Sequence, residues 1–196
     1  MNLKKHVFIF NTIAGIYDWY FQGQYAKYLE IISKNKQILG INRGAWVLDI
    51  GCGTGAFTKA WADSGFHVQG VDIADKMVSL GLKRGLDCLC EDALEGLSYP
   101  DKSFDLVVFS YVAHGLDKIK REKLYREAAR LAISKVLIHD YGTRRSFGTN
   151  LIEFLEGGDY FNFIRSGVDE MKSVFHGVSV HTVDSNASWY LCTPGK

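Results

Sequence analysis

Val47-Leu48-Asp49-Ile50-Gly51-Cys52-Gly53-Thr54-Gly55 is the stretch on which the fold turns. A buried, mostly apolar run contains one acid, Asp49, and then three glycines fall at alternate positions, Gly51, Gly53 and Gly55. Such a loop turns the chain tightly and lets its backbone approach a ligand that a side chain would hold off. The residues from about Gly55 to Ser64 read as a helix, so the unpaired amides and positive end of its first turn face that ligand. An anionic group such as an amino-acid carboxylate suits that position. Alone the pattern is ambiguous, because Gly51, Gly53 and Ala56 also satisfy the relaxed dinucleotide fingerprint GxGxxG/A.

Working outward, short apolar runs alternate with helical stretches. Ala45 to Ile50, Phe66 to Val71, Leu86 to Cys90, Phe104 to Ser110 and Ile133 to His139 are five strand candidates. Helices are predicted over Gly55 to Ser64, Ala74 to Lys83 and Lys118 to Leu131, the last with Leu124, Ala128, Leu131 and Ala132 on one stripe. Strand, helix, strand in repetition gives a parallel sheet with crossover helices. The last third reads as helices over Leu151 to Glu156 and Tyr160 to Phe175, then two strands, Val178 to Val183 and Trp189 to Cys192. The short Asp184-Ser185-Asn186 turn makes that pair antiparallel.

Three more features fall at strand ends on the same edge. Asp72 closes the second strand, at the ~20-residue spacing where an acid accepts from both hydroxyls of a ribose. Its plainer role is as a helix N-cap. Glu91-Asp92-Ala93 ends the third strand, where a carboxylate meets the exocyclic amine of an adenine or forms a solvated turn. Ser110-Tyr111-Val112-Ala113-His114 leaves the fourth strand where open α/β sheets bind ligands.

Composition bounds the rest. The chain has 196 residues, 47% hydrophobic and 23% charged, with a formal net charge of +1, which fits one globular domain and gives no strong field toward nucleic acid or an acidic membrane. The basic start, Met1 to His6, leads only into the short apolar Val7 to Phe10, and no run approaches the ~20 apolar residues of a membrane span. A cytoplasmic location is the expectation. Cys52, Cys88, Cys90 and Cys192 match neither a disulfide scaffold nor paired metal knuckles, so free core thiols and no metal are expected. Lys118, Lys120, Arg121 and Lys123 read as a solvated helix face beside Glu122 and Glu127.

The first ~35 residues read as helical, with Phe10, Ile13, Ala14, Tyr17, Tyr20, Phe21, Tyr25, Tyr28, Leu29 and Ile32 at spacings of three and four. Breaks are expected at Gly15, Gly23 and Gly40. The expected organisation is one domain over residues 1–196: a helical lid over 1–40, a cofactor core over 41–140, and substrate-side helices with an antiparallel strand pair over 141–196. The aromatic stripe makes Tyr17 and Tyr20 lid and pocket candidates, against ordinary packing on the sheet as the alternative.

With these motifs in order, Val47 to Gly55, Val71-Asp72, Glu91-Asp92-Ala93 and Phe104 to Val108, the chain resembles the class I S-adenosylmethionine-dependent methyltransferases, in the small branch that includes the quinone-biosynthesis C-methyltransferases. The resemblance covers roughly residues 45–140, and Ile13 to Asp18 looks like that branch's N-terminal helix. It implies a Rossmann-like α/β three-layer sandwich, with a seven-stranded, mostly parallel sheet whose last strand is antiparallel. It further implies that Asp49, Gly51, Cys52 and Gly53 hold the methionine end of S-adenosylmethionine and Asp72 its ribose. Ile73 and Met77 would flank the adenine, Asp92 and Ala93 would contact its edge, and Ser110 and Tyr111 would lie under the sulfonium. The segment Gly142 to Gly158 is a short insertion, and no Asn-Pro-Pro-Tyr or Asp-Pro-Pro-Tyr follows the fourth strand, which argues against base methylation of that type.

Methyl transfer from a sulfonium needs alignment and exclusion of water, not a protein nucleophile. Where a base is needed, His114 is the candidate, its alternative being a core or capping histidine. His139-Asp140-Tyr141 closes the fifth strand and either faces the substrate, with Tyr141 as the pocket residue, or forms a polar exit from the sheet. The expected activity is methylation of a small molecule, leaving S-adenosylhomocysteine, with no nucleic-acid partner. Two other readings stand beside it: a non-catalytic S-adenosylmethionine-binding or partner-activating subunit, and an NAD-dependent oxidoreductase.

Overall fold

The computed structural model describes residues 3–142 and 159–195. Seven strands form one sheet: β1 (Trp46–Ile50), β2 (His67–Asp72), β3 (Cys88–Cys90), β4 (Phe104–Ser110), β5 (Ala132–Tyr141), β6 (Gly177–Thr182) and β7 (Ala187–Thr193). Their order is β3-β2-β1-β4-β5-β7-β6. β7 runs antiparallel to both neighbours, and the remaining pairings are parallel. The helices are α1 (Leu3–Asn35), α2 (Ala56–Asp63), α3 (Asp75–Lys83), α4 (Lys118–Leu131) and α5 (Tyr160–Lys172).

Period-two alternation explains the layers. On β4, Leu106 and Val108 join Trp61 of α2 and Ile32 of α1 in one core. Val107 and Phe109 turn the other way, toward Leu124 and Tyr125 of α4 and Phe163 and Met171 of α5. On β7 the same alternation sends Trp189 and Leu191 to the first core and Tyr190 and Cys192 to the second. The sheet is therefore buried on both faces, which is what lets its central strands be continuously apolar.

The chain steps outward from β1 to β2 to β3, then returns to place β4 on the other side of β1. Between β1 and β4 the direction of winding reverses, and crevices at such switch points are where open α/β sheets hold ligands.

Three expectations are corrected. Gly15 and Gly23 do not break α1, which runs unbroken from Leu3 to Asn35; of the three glycines expected to break the helix only Gly40, at φ 65°, caps one, the short 3-10 turn Lys36–Leu39. Each interior glycine costs a helix about 1 kcal/mol, which the packing of Ala14, Phe21, Ile31 and Ile32 on the domain outweighs. Arg121 is not on a solvated face: it is fully buried, donating bidentately to Glu170 at 2.6 and 2.9 Å and to Asp159 at 3.0 Å. Not all four cysteines are core thiols, for on β3 Cys88 is buried and Cys90 exposed. The helix expected over Leu151 to Glu156, and the insertion beyond Gly142, lie outside the described residues.

Candidate functional site

The glycine loop leaves β1 with Gly51, Gly53 and Gly55 all at positive φ, 73°, 53° and 88°. Gly51 is required twice over, since a Cβ there would also meet Val112 Cγ2 at 2.5 Å. Val112 follows Tyr111, a non-glycine residue at φ 54°, so the strained exit of β4 rests on the exit of β1. Above Gly53 the space is open, with no atom within 4 Å of a would-be Cβ. Gly55 is the left-handed cap of α2, and its helix start points into the same space.

Asp49 is 1% exposed. Its Oδ2 accepts from Thr58 Oγ1 at 2.7 Å, while Oδ1 has no partner among the described residues. Burial pushes its carboxyl up to about 7, against the Thr58 hydrogen bond that pulls it down. An orphaned buried carboxylate oxygen is costly unless a donor arrives to meet it, and a cationic amine is the donor that best repays an anion.

Asp72 ends β2 with both oxygens engaged: Oδ2 accepts from Gly53 N and Oδ1 from Ala74 N, each at 2.8 Å. Burial raises its pKa against those bonds. Asp72 thus braces the glycine loop as well as the start of α3, and its remaining lone pairs can still accept. Ile73 follows it, half-buried, and Met77 is buried with Ala14, Ala74 and the partly buried Tyr17 and Leu80. Asp92 Oδ1 accepts from Leu94 N at 2.9 Å, making the turn that the sequence offered as its plainer role, and Ala93 packs on the core beside it. Cys52 contributes backbone to the loop; its buried thiol is held well above the usual range by the Cys88 thiol and by burial, so it is no nucleophile near neutral pH.

At the end of β4, Ser110 Oγ donates to Tyr28 Oη of α1 at 2.9 Å. Tyr111 N donates to His139 O at 2.8 Å. The Tyr111 ring lies 5.0 Å from Tyr141, which lies 4.8 Å from His114 and 5.1 Å from Tyr160. One aromatic cluster thus joins the exits of β4 and β5 to the start of α5. His114 Nδ1 lies 2.8 Å from Asp140 Oδ1, and Asp140 Oδ2 accepts from Ala113 N and His114 N. An ionised carboxylate only accepts, so a neutral His114 carries its proton on Nδ1 and its basic lone pair on Nε2. His139 differs: burial lowers it to about 4, and its Nδ1 accepts from Trp189 Nε1 at 2.9 Å. It is a neutral structural group at pH 7.

Tyr17 and Tyr20, paired in the sequence reading, separate. Tyr17 packs toward Met77, whereas Tyr20 is 54% exposed and stacks edge-on against Trp19. The pairing of Asp140 with His114 and of Arg121 with Glu170 gave no sign in the sequence. Among the described residues no three His, Cys, Asp or Glu side chains converge to hold a metal ion.

Residues 48–138 match the family described as "Methyltransferase domain". A demethylmenaquinone methyltransferase of Tropheryma whipplei is 33% identical over 87 residues, 43% of this chain and 36% of the relative. The chain spans about a third of the length of that relative. A solved Methanococcus maripaludis protein, named for S-adenosyl-L-methionine-dependent methyl transfer, shares the fold at a TM-score of 0.74 and 18% identity, over 95% of this chain and 94% of that one. Phosphoethanolamine N-methyltransferase 2 of Haemonchus contortus, solved with phosphomonomethylethanolamine and S-adenosylhomocysteine, gives 0.69 at 18% identity, over 95% and 58%. Over residues 48–138, a little under half of its length, the chain is thus similar to methyltransferase domains, and its seven-stranded Rossmann-like sheet is the fold of these solved proteins.

Proposed function

We propose that this chain is an S-adenosylmethionine-dependent methyltransferase acting on a small molecule. The observation that carries the reading is the unpartnered, buried Oδ1 of Asp49 beneath an open glycine loop. The residues fit the cofactor: Asp49 and the backbone of Gly51, Cys52, Gly53 and Gly55 would hold its methionine end, Asp72 its ribose, Ile73 and Met77 the adenine faces, and Asp92 with Ala93 the adenine edge. Ser110 and Tyr111 would sit beneath the sulfonium. When bound, the cofactor supplies an electrophilic methyl group that an acceptor displaces directly.

The protein's own work is then positioning and exclusion of water. The segment of α1 ahead of Phe21 acts as a lid, with Tyr17 on its inner side, and the 1–40, 41–140 and 141–196 parts share one domain. Where the acceptor must lose a proton, His114 Nε2 takes it while Asp140 holds the ring and stabilises the imidazolium. Tyr141 and its aromatic neighbours form a wall for the acceptor. An NAD-dependent role is disfavoured because the antiparallel β7–β6 pair stands where a second mononucleotide-binding half would be. Four free cysteines agree with a cytoplasmic location.

The test is transfer of labelled methyl from S-adenosylmethionine to a panel holding a demethylated quinone, phosphoethanolamine and bulk tRNA. Label on a small molecule is expected. Label on tRNA alone would overturn the small-molecule reading, and cofactor binding without transfer to any acceptor, with cell extract added, would favour a non-catalytic subunit.

A further inference from the structure

α1 is apolar on two sides. Its inner side packs Ala14 and Phe21 against the domain, yet Phe8, Ile16, Trp19 and Tyr20 are 70%, 57%, 77% and 54% exposed. At 3.6 residues per turn these four share the opposite side, with the small residues Thr12, Gly15 and Gly23 between them. A helix apolar all round is normally covered all round.

Of the charges beside this stripe the acids are engaged and the lysines of α3 are not. Between Lys5 and Lys27 the only charged residue of α1 is Asp18, and it is already paired with Arg84. Across a groove of about 370 Å³, α3 presents the exposed Lys76 and Lys83, neither with an ion-pair partner among the described residues. Asp75, which opens α3, accepts from Asn11 Nδ2 at 2.6 Å. No helix in the described residues is long and apolar enough to cross a membrane, so a bilayer could meet this helix only from the side.

We infer that the outward face of α1 docks on an anionic lipid surface, with Phe8, Ile16, Trp19 and Tyr20 entering the headgroup boundary and Lys76 and Lys83 of α3 meeting the headgroups. Trp and Tyr suit that boundary, each having an apolar ring and one polar atom, and a helix lying in the interface needs just this combination of apolar row and basic flank. A second copy of the chain is the other possible occupant, but two such faces would bring their lysines together.

The experiment is co-sedimentation of the full chain with vesicles of phosphatidylcholine alone or mixed with phosphatidylglycerol. Partition onto the mixed vesicles about tenfold or more above phosphatidylcholine alone is expected, reversed by high salt and by Trp19→Glu. Phe8→Glu serves as a second variant, and cooperative urea unfolding with the wild-type midpoint shows that each variant is folded. Equal partition on both vesicle types, or loss of binding in neither variant, overturns the proposal. So does self-association in solution that Trp19→Glu abolishes, which would assign the face to a second copy.

Discussion

The carboxylate of Asp72 accepts from the backbone N–H of Gly53 at 2.8 Å, so the acid at the end of β2 holds the glycine loop that leaves β1. One side chain thereby serves two elements, since its other oxygen caps Ala74.

Asp72→Ala should therefore do two things at once. It should weaken S-adenosylhomocysteine binding by about 1.5–3 kcal/mol, the range for hydrogen bonds to a charged group, and lower the stability of the free protein by about 1–2 kcal/mol through the lost loop and cap contacts. Calorimetric titration and urea unfolding measure the two. Intact affinity in a destabilised variant would leave Asp72 as a cap and nothing more.

Asp49 predicts the pH dependence. Its carboxyl titrates at about 7 in the free protein, and an ammonium partner requires it ionised, so cofactor affinity should fall as pH drops below 7, by up to about tenfold per unit, and level off above it. Stability of the free protein runs the other way. Because the folded pKa lies above the ordinary 3.8, the folded chain keeps a proton that the unfolded chain gives up, and this group costs stability as pH rises from about 4 to 7. Asp49→Asn should raise the melting temperature of the free protein at pH 8, while binding S-adenosylhomocysteine weakly and without that pH dependence. A variant with the wild-type pH profile would place the titrating group elsewhere.

Much of this was legible because it is local. The β4 bounds Phe104–Ser110 and the α4 bounds Lys118–Leu131 coincide with the apolar pattern, and the loop from Asp49 to Gly55 is one continuous segment. What escaped depends on partners distant in sequence: Asp140 meets a histidine 26 residues away, and Arg121 meets Glu170 across 49. A helix rich in lysine and arginine gives no local sign that Arg121, rather than Arg126 or Arg130, turns inward. The continuity of α1 through Gly15 and Gly23 escaped for the same reason, as tertiary packing of Ala14 and Phe21 overrides a local preference.

Arg121→Ala should be among the most destabilising single changes in the chain, by about 3–5 kcal/mol, because it strands the carboxylates of Glu170 and Asp159 against α4. Arg121→Lys should recover only part of this, since an ammonium cannot donate in the bidentate geometry seen with Glu170. Urea unfolding of both variants gives the comparison; equal midpoints for wild type and Arg121→Lys would show that charge alone suffices.

Deleting residues 1–20 separates lid from core. Phe21, Ile31 and Ile32 remain and are buried, and Phe21 keeps Arg84 over its ring at 3.9 Å, so unfolding should stay cooperative. Removal of Ala14 and Tyr17 from Ala74 and Met77 should weaken S-adenosylhomocysteine binding about tenfold or more. Loss of cooperative unfolding would make the whole of α1 core, and undiminished affinity would end the lid reading.

The account rests on a cofactor cradle made by Asp49, the glycine loop and Asp72, and the most direct measurement is a calorimetric titration of the full chain with S-adenosylhomocysteine, with NAD titrated alongside. Saturable binding of S-adenosylhomocysteine that Asp49→Asn weakens, with no heat from NAD, is the predicted result. Binding of NAD with none of S-adenosylhomocysteine would contradict it.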